Sequence, residues 1–292
     1  MKRPVLLLVG VLCFVPSTFA QTAEEKKATI AYLRKLQTKD GGFVARLDDK
    51  EKPSLRATSA TVRALHYLGG EVPNRDTAAA FVKSCHDVDS GGFADEPGGK
   101  PAVFPTAVGA MAVVALKMPV EKYEAGVVKY LDKNAKSFEE IRIAVAGLEA
   151  LGKKSAEAGA WTALIEKMRN DAGAFGKGDG IARETGGATV ALLRLGAKVE
   201  ESDRVVKLLD GGQRKDGGFG KEKAKQSDLE TTYRVLRAYH MLKAKPEDVA
   251  GLRRFIASCR NDDGGYGIEP GQPSNVGGCY YAAIVLQWLD KK

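Results

Sequence analysis

Five stretches of this chain carry a glycine-rich turn closed by an aromatic residue, each followed by a helix-forming segment: "DGGFVARLDDKEKPSLRATSATVRALHYL", "SGGFADEPGGKPAVFPTAVGAMAVVAL", "AGAFGKGDGIARETGGATVALLRL", "DGGFGKEKAKQSDLETTYRVLRAYHML" and "DGGYGIEPGQPSNVGGCYYAAIVLQWL". Self-similarity at this period decides the architecture before any single motif does. The turn aromatics are Phe43, Phe93, Phe175, Phe219 and Tyr266, separated by 50, 82, 44 and 47 residues. The interval of 82 is nearly twice the others, and "YLDKNAKSFEEIRIAVAGLEALG" fits inside it as a degenerate unit with Phe138 in place of the turn aromatic. The chain therefore reads as six repeats.

Each unit reads as helix, turn, helix, with almost no strand signal. The second helices carry little charge ("TAVGAMAVVALKM", "GGCYYAAIVLQWL"), whereas the first are amphipathic ("EEKKATIAYLRKLQ", "GLRRFIASCR"). A helix apolar nearly all round belongs inside, and an amphipathic one belongs outside. An open stack of such units would need polar caps at both ends, and the first and last units are as apolar as the middle ones. The expected fold is all-α: a closed six-repeat α/α toroid with six inner and six outer helices. Each Gly-Gly pair supplies the left-handed backbone of the turn, and the aromatic is expected to plug the seam between units.

The N-terminal "MKRPVLLLVGVLCFVPSTFA" pairs Lys2 and Arg3 with a short apolar run and small residues before Gln21. That pattern is a signal peptide over residues 1–20, leaving the toroid domain over 21–292 and an exported, periplasmic or secreted chain. No later segment is long and apolar enough to suggest a membrane span. Loss of the signal removes Cys13 and leaves Cys85, Cys259 and Cys279, an odd number that excludes a complete disulfide framework. Cys85 and Cys259 read as small buried hydrophobes at equivalent repeat positions. The formal charge of +8 is spread over helix faces without a basic block, so a nucleic-acid partner is not expected.

All six inner helices begin after the turns, so their N-termini converge on one rim that attracts anions. Aligning the units places Thr58, Thr106, Ile141, Thr185, Thr232 and Cys279 at one position, where Thr reads as a backbone cap. Two residues earlier stand Arg56, Phe104, Glu139, Arg183, Glu230 and Gly277. The charged members face the cavity mouth, where they need a ligand or one another. His66 reads as a packing residue of an inner helix and His86 as a turn residue.

With Gln37 and Gln213 ahead of their turns, the repeats resemble those of the protein prenyltransferase β subunits (geranylgeranyltransferase type II β-like) and the squalene and terpene cyclases, over nearly the whole mature chain. The resemblance implies zinc held by an Asp-x-Cys pair and a His. Asp228 matches the Asp, Glu230 stands at the Cys, and Gly278 stands at the His. It also implies a diphosphate site, where Thr185 precedes Gly186 and Gly187 at the family's His position. Lys225 matches the second residue of its basic pair, while Glu222, between Lys221 and Lys223, stands at the first. Thr231 takes the place of a Tyr, and Arg142 with Glu140 matches an Asp-x-Arg motif. His240, ten residues past Glu230, lies about 15 Å along the same helix.

Two functions follow. One is geranylgeranyl transfer with Asp228 and Glu230 as catalytic residues and a separate helical partner subunit; the family's known substrates are cytoplasmic, which conflicts with export. The other is a non-catalytic toroid whose cavity holds an apolar molecule, an isoprenoid or a peptide. In both, Arg56, Glu139, Arg142, Arg183, Thr185 and Lys225 form the ligand-binding rim. A third reading, acid–base chemistry between rim carboxylates, ranks last.

Overall fold

The computed structural model describes residues 21–47 and 50–290. The expected signal peptide, with Cys13, lies outside the described residues. Among those described, twelve α-helices alternate between two rings. The inner ring consists of α2 (Leu55–Leu68), α4 (Val103–Ala115), α6 (Phe138–Ala150), α8 (Ile181–Leu195), α10 (Leu229–Leu242) and α12 (Val276–Asp290). The outer ring consists of α1 (Ala23–Lys35), α3 (Arg75–Ser84), α5 (Glu124–Asn134), α7 (Ala158–Glu166), α9 (Ser202–Asp210) and α11 (Val249–Ser258). Each inner helix packs on the next, and α12 packs on α2. The toroid is closed, as the apolar ends of the repeat array require.

The turns make the closure. The first glycine of a pair adopts positive φ, 88° at Gly41 and 90° at Gly217, and it rests on the backbone of the next outer helix, at Thr77 and Gly251 respectively. A β-carbon there would collide with that backbone, so only glycine fits. Gln37 clasps the joint by donating its Nε2 to Gly41 O and Asn74 O, at 3.0 and 2.9 Å, and by accepting from Asn74 N. Gln213 does the same between Gly217 and Asp248. The last turn completes the ring: Gly264 presses on Ala28 of α1, and Thr29 Oγ1 donates to Gly264 O at 2.8 Å.

A second set of bonds ties the first residue of an inner helix to the turn of the next unit around the ring. Leu55 N donates to Asp95 O at 2.7 Å, Leu229 N to Ile268 O at 2.9 Å, and Val276 N to Ala45 O at 2.8 Å. Each acceptor lies two residues beyond a turn aromatic, and the third bond joins the sixth unit to the first. Where inner helices touch closely, glycine lines the seam: Gly147 of α6 meets Ala107 of α4, and Gly186 of α8 meets Val235 of α10.

The turn aromatics are fully enclosed, and each is held by its backbone. Phe43 N donates to Thr58 Oγ1 at 2.9 Å, Phe93 N to Thr106 Oγ1 at 2.9 Å, Phe175 N to Thr185 Oγ1 at 3.0 Å, and Phe219 N to Thr232 Oγ1 at 3.1 Å. In the sixth unit Tyr266 N takes the sulfur of Cys279 at 3.4 Å. The equivalent Thr position is therefore not an N-cap. It accepts the buried N–H of the turn, and Thr58 and Thr106 also donate to the carbonyl four residues back.

The third unit departs from the expected pattern. Phe138 does not close a turn; it is the first residue of α6, which Ser137 and Glu140 start with a reciprocal capping box. Without glycines the unit cannot build the left-handed turn, and Ile141 offers no acceptor because no turn N–H needs one. His86 is a turn residue, as expected, wedged beside Phe93 and Tyr123 at ring-centroid distances of 4.7 and 5.0 Å. His66, expected to pack inside, sits exposed in the last turn of α2. Cys85, Cys259 and Cys279 are buried free thiols. No described helix is long and apolar enough to cross a membrane.

The Thr–turn bond sets a first expectation. Thr232→Val leaves the Phe219 N–H buried without a partner, which costs about 1–3 kcal/mol, while Thr232→Ser keeps the acceptor. Chemical denaturation of the two variants should show the Val form unfolding at clearly lower denaturant and the Ser form near the parent.

Candidate functional site

The inner ring encloses a cavity of about 1150 Å³. Its lining runs from Ser54, Arg56 and Asp95 at the N-terminal ends of the inner helices to Lys117, Glu149 and Arg194 at their C-terminal ends. Three layers follow from the 3.6-residue period: residues 56, 139 and 230 at the rim, apolar side chains in the middle, and residues 63, 194 and 237 beyond.

At the rim the charges satisfy each other. Glu139 bonds Arg142 at 2.9 Å and is gripped by both terminal nitrogens of Arg234, at 2.9 and 3.1 Å. Glu230 pairs with Arg234 at 3.0 Å, Arg183 at 3.3 Å and Lys221 at 3.3 Å. Arg183 also holds Glu184 at 2.6 Å. Burial works against ionising Glu139, but the bonds and charges of Arg234 and Arg142 outweigh it and hold the carboxyl at about 2, down from the ordinary 4.5. Glu230 is likewise held below its ordinary range, as Arg234, Lys221 and Arg183 overcome its burial. Arg56 turns to Asp95, 2.7 Å away, and lies over the Phe104 ring.

The remaining sequence-predicted residues are placed differently. Asp228 is buried as the N-cap of α10, its two oxygens accepting Thr231 N and Thr231 Oγ1, both at 2.8 Å. Thr185 is fully buried with its hydroxyl used by Phe175, and it does not line the cavity. Lys225 is exposed on the loop before α10 and also lies outside the lining. Glu140 is spent on the capping box. His240 stacks on Trp288 at 5.0 Å at the far end of α10. Among the described residues no group of three or more His, Cys, Asp and Glu is placed to hold a metal ion.

The sequence reading passed over the side chains deeper in the cavity. Arg234, one turn below Glu230, is the hub of the rim network, with a side chain only 9% exposed. Beyond it Tyr233 meets Tyr280, Tyr281 and Trp288 at ring-centroid distances of 5.7, 5.0 and 5.8 Å. Arg237 lies over both Tyr233 and Trp288, at 5.2 and 4.7 Å, and Arg63 lies over Tyr280 while donating to its hydroxyl at 2.8 Å. Arg194 pairs with Glu149 at 2.9 Å. The spacings 56, 60, 63 and 230, 234, 237 carried this signal, because they repeat the helical face that aims the rim residues inward.

Comparison with known proteins agrees with this architecture. The profile of the prenyltransferase alpha-alpha toroid domain matches residues 7–95, 65–134 and 122–292. Over 92 residues the chain is 32% identical to a geranylgeranyl transferase type-2 subunit beta of Candida albicans, a match that covers 30% of this chain and 27% of that protein. The structure of Candida albicans protein geranylgeranyltransferase-I complexed with GGPP aligns at a TM-score of 0.66 and 13% identity, over 81% of this chain and 84% of that one. A variant of the type II terpene cyclase MstE from Scytonema, in complex with geranylgeranyl dihydroxybenzoate, aligns at 0.64 and 11% identity, over 92% and 96%.

The rim network predicts acid sensitivity. Glu139 has a lower pKa folded than unfolded, so its stabilising effect is complete above about pH 4.5 and is lost as pH falls towards 2. Thermal unfolding across that window should show stability dropping, and Glu139→Gln should flatten the drop while lowering stability at neutral pH.

Proposed function

Because the chain belongs to the prenyltransferase alpha-alpha toroid family, we propose that it works as an exported toroid that binds an apolar, isoprenoid-class molecule in its central cavity, without zinc-dependent geranylgeranyl transfer. The observation that carries this reading is the contrast between an open cavity and committed donors. The carboxylate that the family resemblance assigns to zinc caps α10, and Glu230, in the place of the thiolate, is tied to three cations. Gly278 has no donor side chain to offer. Catalytic zinc takes three protein ligands and an open position, and this donor set does not fit it.

The diphosphate site of the resemblance is depleted in the same way. Thr185 is enclosed, Lys225 faces outward, and Lys221 is neutralised by Glu230. What remains is the apolar middle of the cavity, walled by Ala60, Val108, Met111, Ile143, Ala146 and Val190. Of the structural neighbours, the Candida albicans geranylgeranyltransferase-I is complexed with GGPP and the MstE variant with geranylgeranyl dihydroxybenzoate. The cavity here is large enough for a ligand of drug-like size or greater. The signal-peptide pattern of residues 1–20 supports export, and an exported chain would meet such a molecule in the envelope or outside the cell.

Native mass spectrometry of the mature chain from an exporting host tests the reading. The expected result is a bound apolar molecule, retained without added metal and displaced by geranylgeraniol, with Ala60→Trp reducing occupancy several-fold by filling the middle of the cavity. Uptake of one zinc together with geranylgeranyl diphosphate would instead show the transferase site rebuilt around Asp228 and Glu230.

A further inference from the structure

The two ends of the cavity differ in electrostatic balance. At the rim Arg56, Arg142, Arg183, Arg234 and Lys221 each have a carboxylate partner. At the C-terminal end Arg63, Arg194 and Arg237 line the same cavity, and only Arg194 has a carboxylate partner, Glu149. Among the described residues neither Arg63 nor Arg237 pairs with an acid; Arg63 is bonded to Ser59 O and the Tyr280 hydroxyl, and Arg237 rests on aromatic faces with its Nε unpartnered and buried. Charges taken from water require compensation.

Helix dipoles do not supply it. Their effect is confined to the last turn, and Arg63 and Arg237 stand five residues before the ends of α2 and α10. Arg194 alone is close enough to a helix end to gain from it. Besides Glu149, the Tyr233 phenol lies against the cluster. Burial would push Tyr233 upward, but the charges of Arg237 and Arg194, a hydrogen bond with Tyr280 and the charge of Arg63 outweigh burial and pull its hydroxyl well below the ordinary range. The cluster is thus built around a deficit of negative charge.

We propose that Arg63, Arg194 and Arg237 form an anion site at the C-terminal end of the cavity, which takes the phosphate or carboxylate head of an amphiphilic ligand whose apolar tail lies along the middle of the cavity towards the rim. This deepens the binding function proposed above and rests on it. Guanidinium groups suit such heads because their forked donors match two oxygens at once. The aromatic wall of Tyr233, Tyr280 and Trp288 encloses the arginines on one side, and the apolar layer adjoins them on the other. A head at this end is separated from the rim charges by about 10 Å, the rise from Glu230 to Arg237 along α10. A bound anion places negative charge beside Tyr233 and opposes its ionisation, so the phenol titrates at higher pH when the site is filled.

Isothermal titration of the delipidated mature chain with dodecyl phosphate, dodecanol and inorganic phosphate tests this. Dodecyl phosphate should bind about tenfold or more tightly than dodecanol, as expected for hydrogen bonds to a charged group, and inorganic phosphate should bind far more weakly than either. Arg237→Gln and Arg63→Gln should each erase the preference for the phosphate head, and Arg237→Lys should restore part of it. Independently of any variant, ultraviolet titration of the parent protein should find a low-titrating phenol, absent in Tyr233→Phe, that moves to higher pH with dodecyl phosphate and stays in place with dodecanol.

Equal binding of dodecyl phosphate and dodecanol overturns the anion site and leaves the cavity function intact. Failure of both to bind overturns the cavity function as well. A head-group preference lost in Arg56→Gln and kept in Arg237→Gln places the head at the rim and overturns the proposed orientation. Inorganic phosphate binding as tightly as dodecyl phosphate overturns the amphiphile and leaves a site for a free anion.

Discussion

The toroid depends on one backbone hydrogen bond, the N–H of each turn aromatic donated to the side chain at the fourth or fifth residue of the following inner helix. A turn buried between two helical rings has no sheet to pair with, and an unpaired buried N–H costs as much as a lost bond. Thr58, Thr106, Thr185 and Thr232 meet this need with hydroxyls and Cys279 with its sulfur. Because the acceptor occupies nearly the same place in five of the six inner helices, those helices start at a common level. Glycine contacts with the next outer helix then set the step around the ring, and the bond from Val276 N to Ala45 O closes it. The single rim is a consequence of that register.

A common level concentrates charge, and the chain resolves it differently at its two ends. At the rim Arg234 reaches back one turn to join Glu139 and Glu230, and Arg142, Arg183 and Lys221 complete the network. Such a network rigidifies the mouth more than it stabilises the fold, because its partly exposed members are screened by solvent. At the opposite end cation–π contacts with Tyr233, Tyr280 and Trp288 offset part of the desolvation of Arg63 and Arg237. Those contacts leave the charge in place. The same ring therefore presents a neutralised mouth and a cationic far end, separated by an apolar layer.

Much of the architecture was legible in the sequence because repeats constrain many residues at once. The six units, the alternation of inner and outer helices and the equivalence of the Thr positions all follow from one period. Phe138 was misplaced because spacing alone assigned it to a turn, whereas the Ser137–Glu140 capping box starts the helix there. The rim residues were visible as charges, but their partners were not: Glu139 meets Arg234 across 95 positions of sequence. Arg63, Arg194, Tyr233 and Arg237 stand away from the helix starts that carry the family motifs, although their spacing from the rim residues, i+7 for Arg63 and Arg237, i+11 for Arg194 and i+3 for Tyr233, marks the same face. Thr185 shows the opposite error, a family position read as ligand-facing that serves the turn instead.

Diffraction at the zinc edge from crystals of the mature chain, purified with the molecule it carries from an exporting host, bears most directly on the view that the fold has kept the cavity and given its metal donors to structural duty. That view predicts continuous density through the apolar layer, ending against Arg63, Arg194 and Arg237, with no anomalous signal beside Asp228. An anomalous peak bridging Asp228 and Glu230, with the Thr231 bonds broken and the cavity empty, would contradict it.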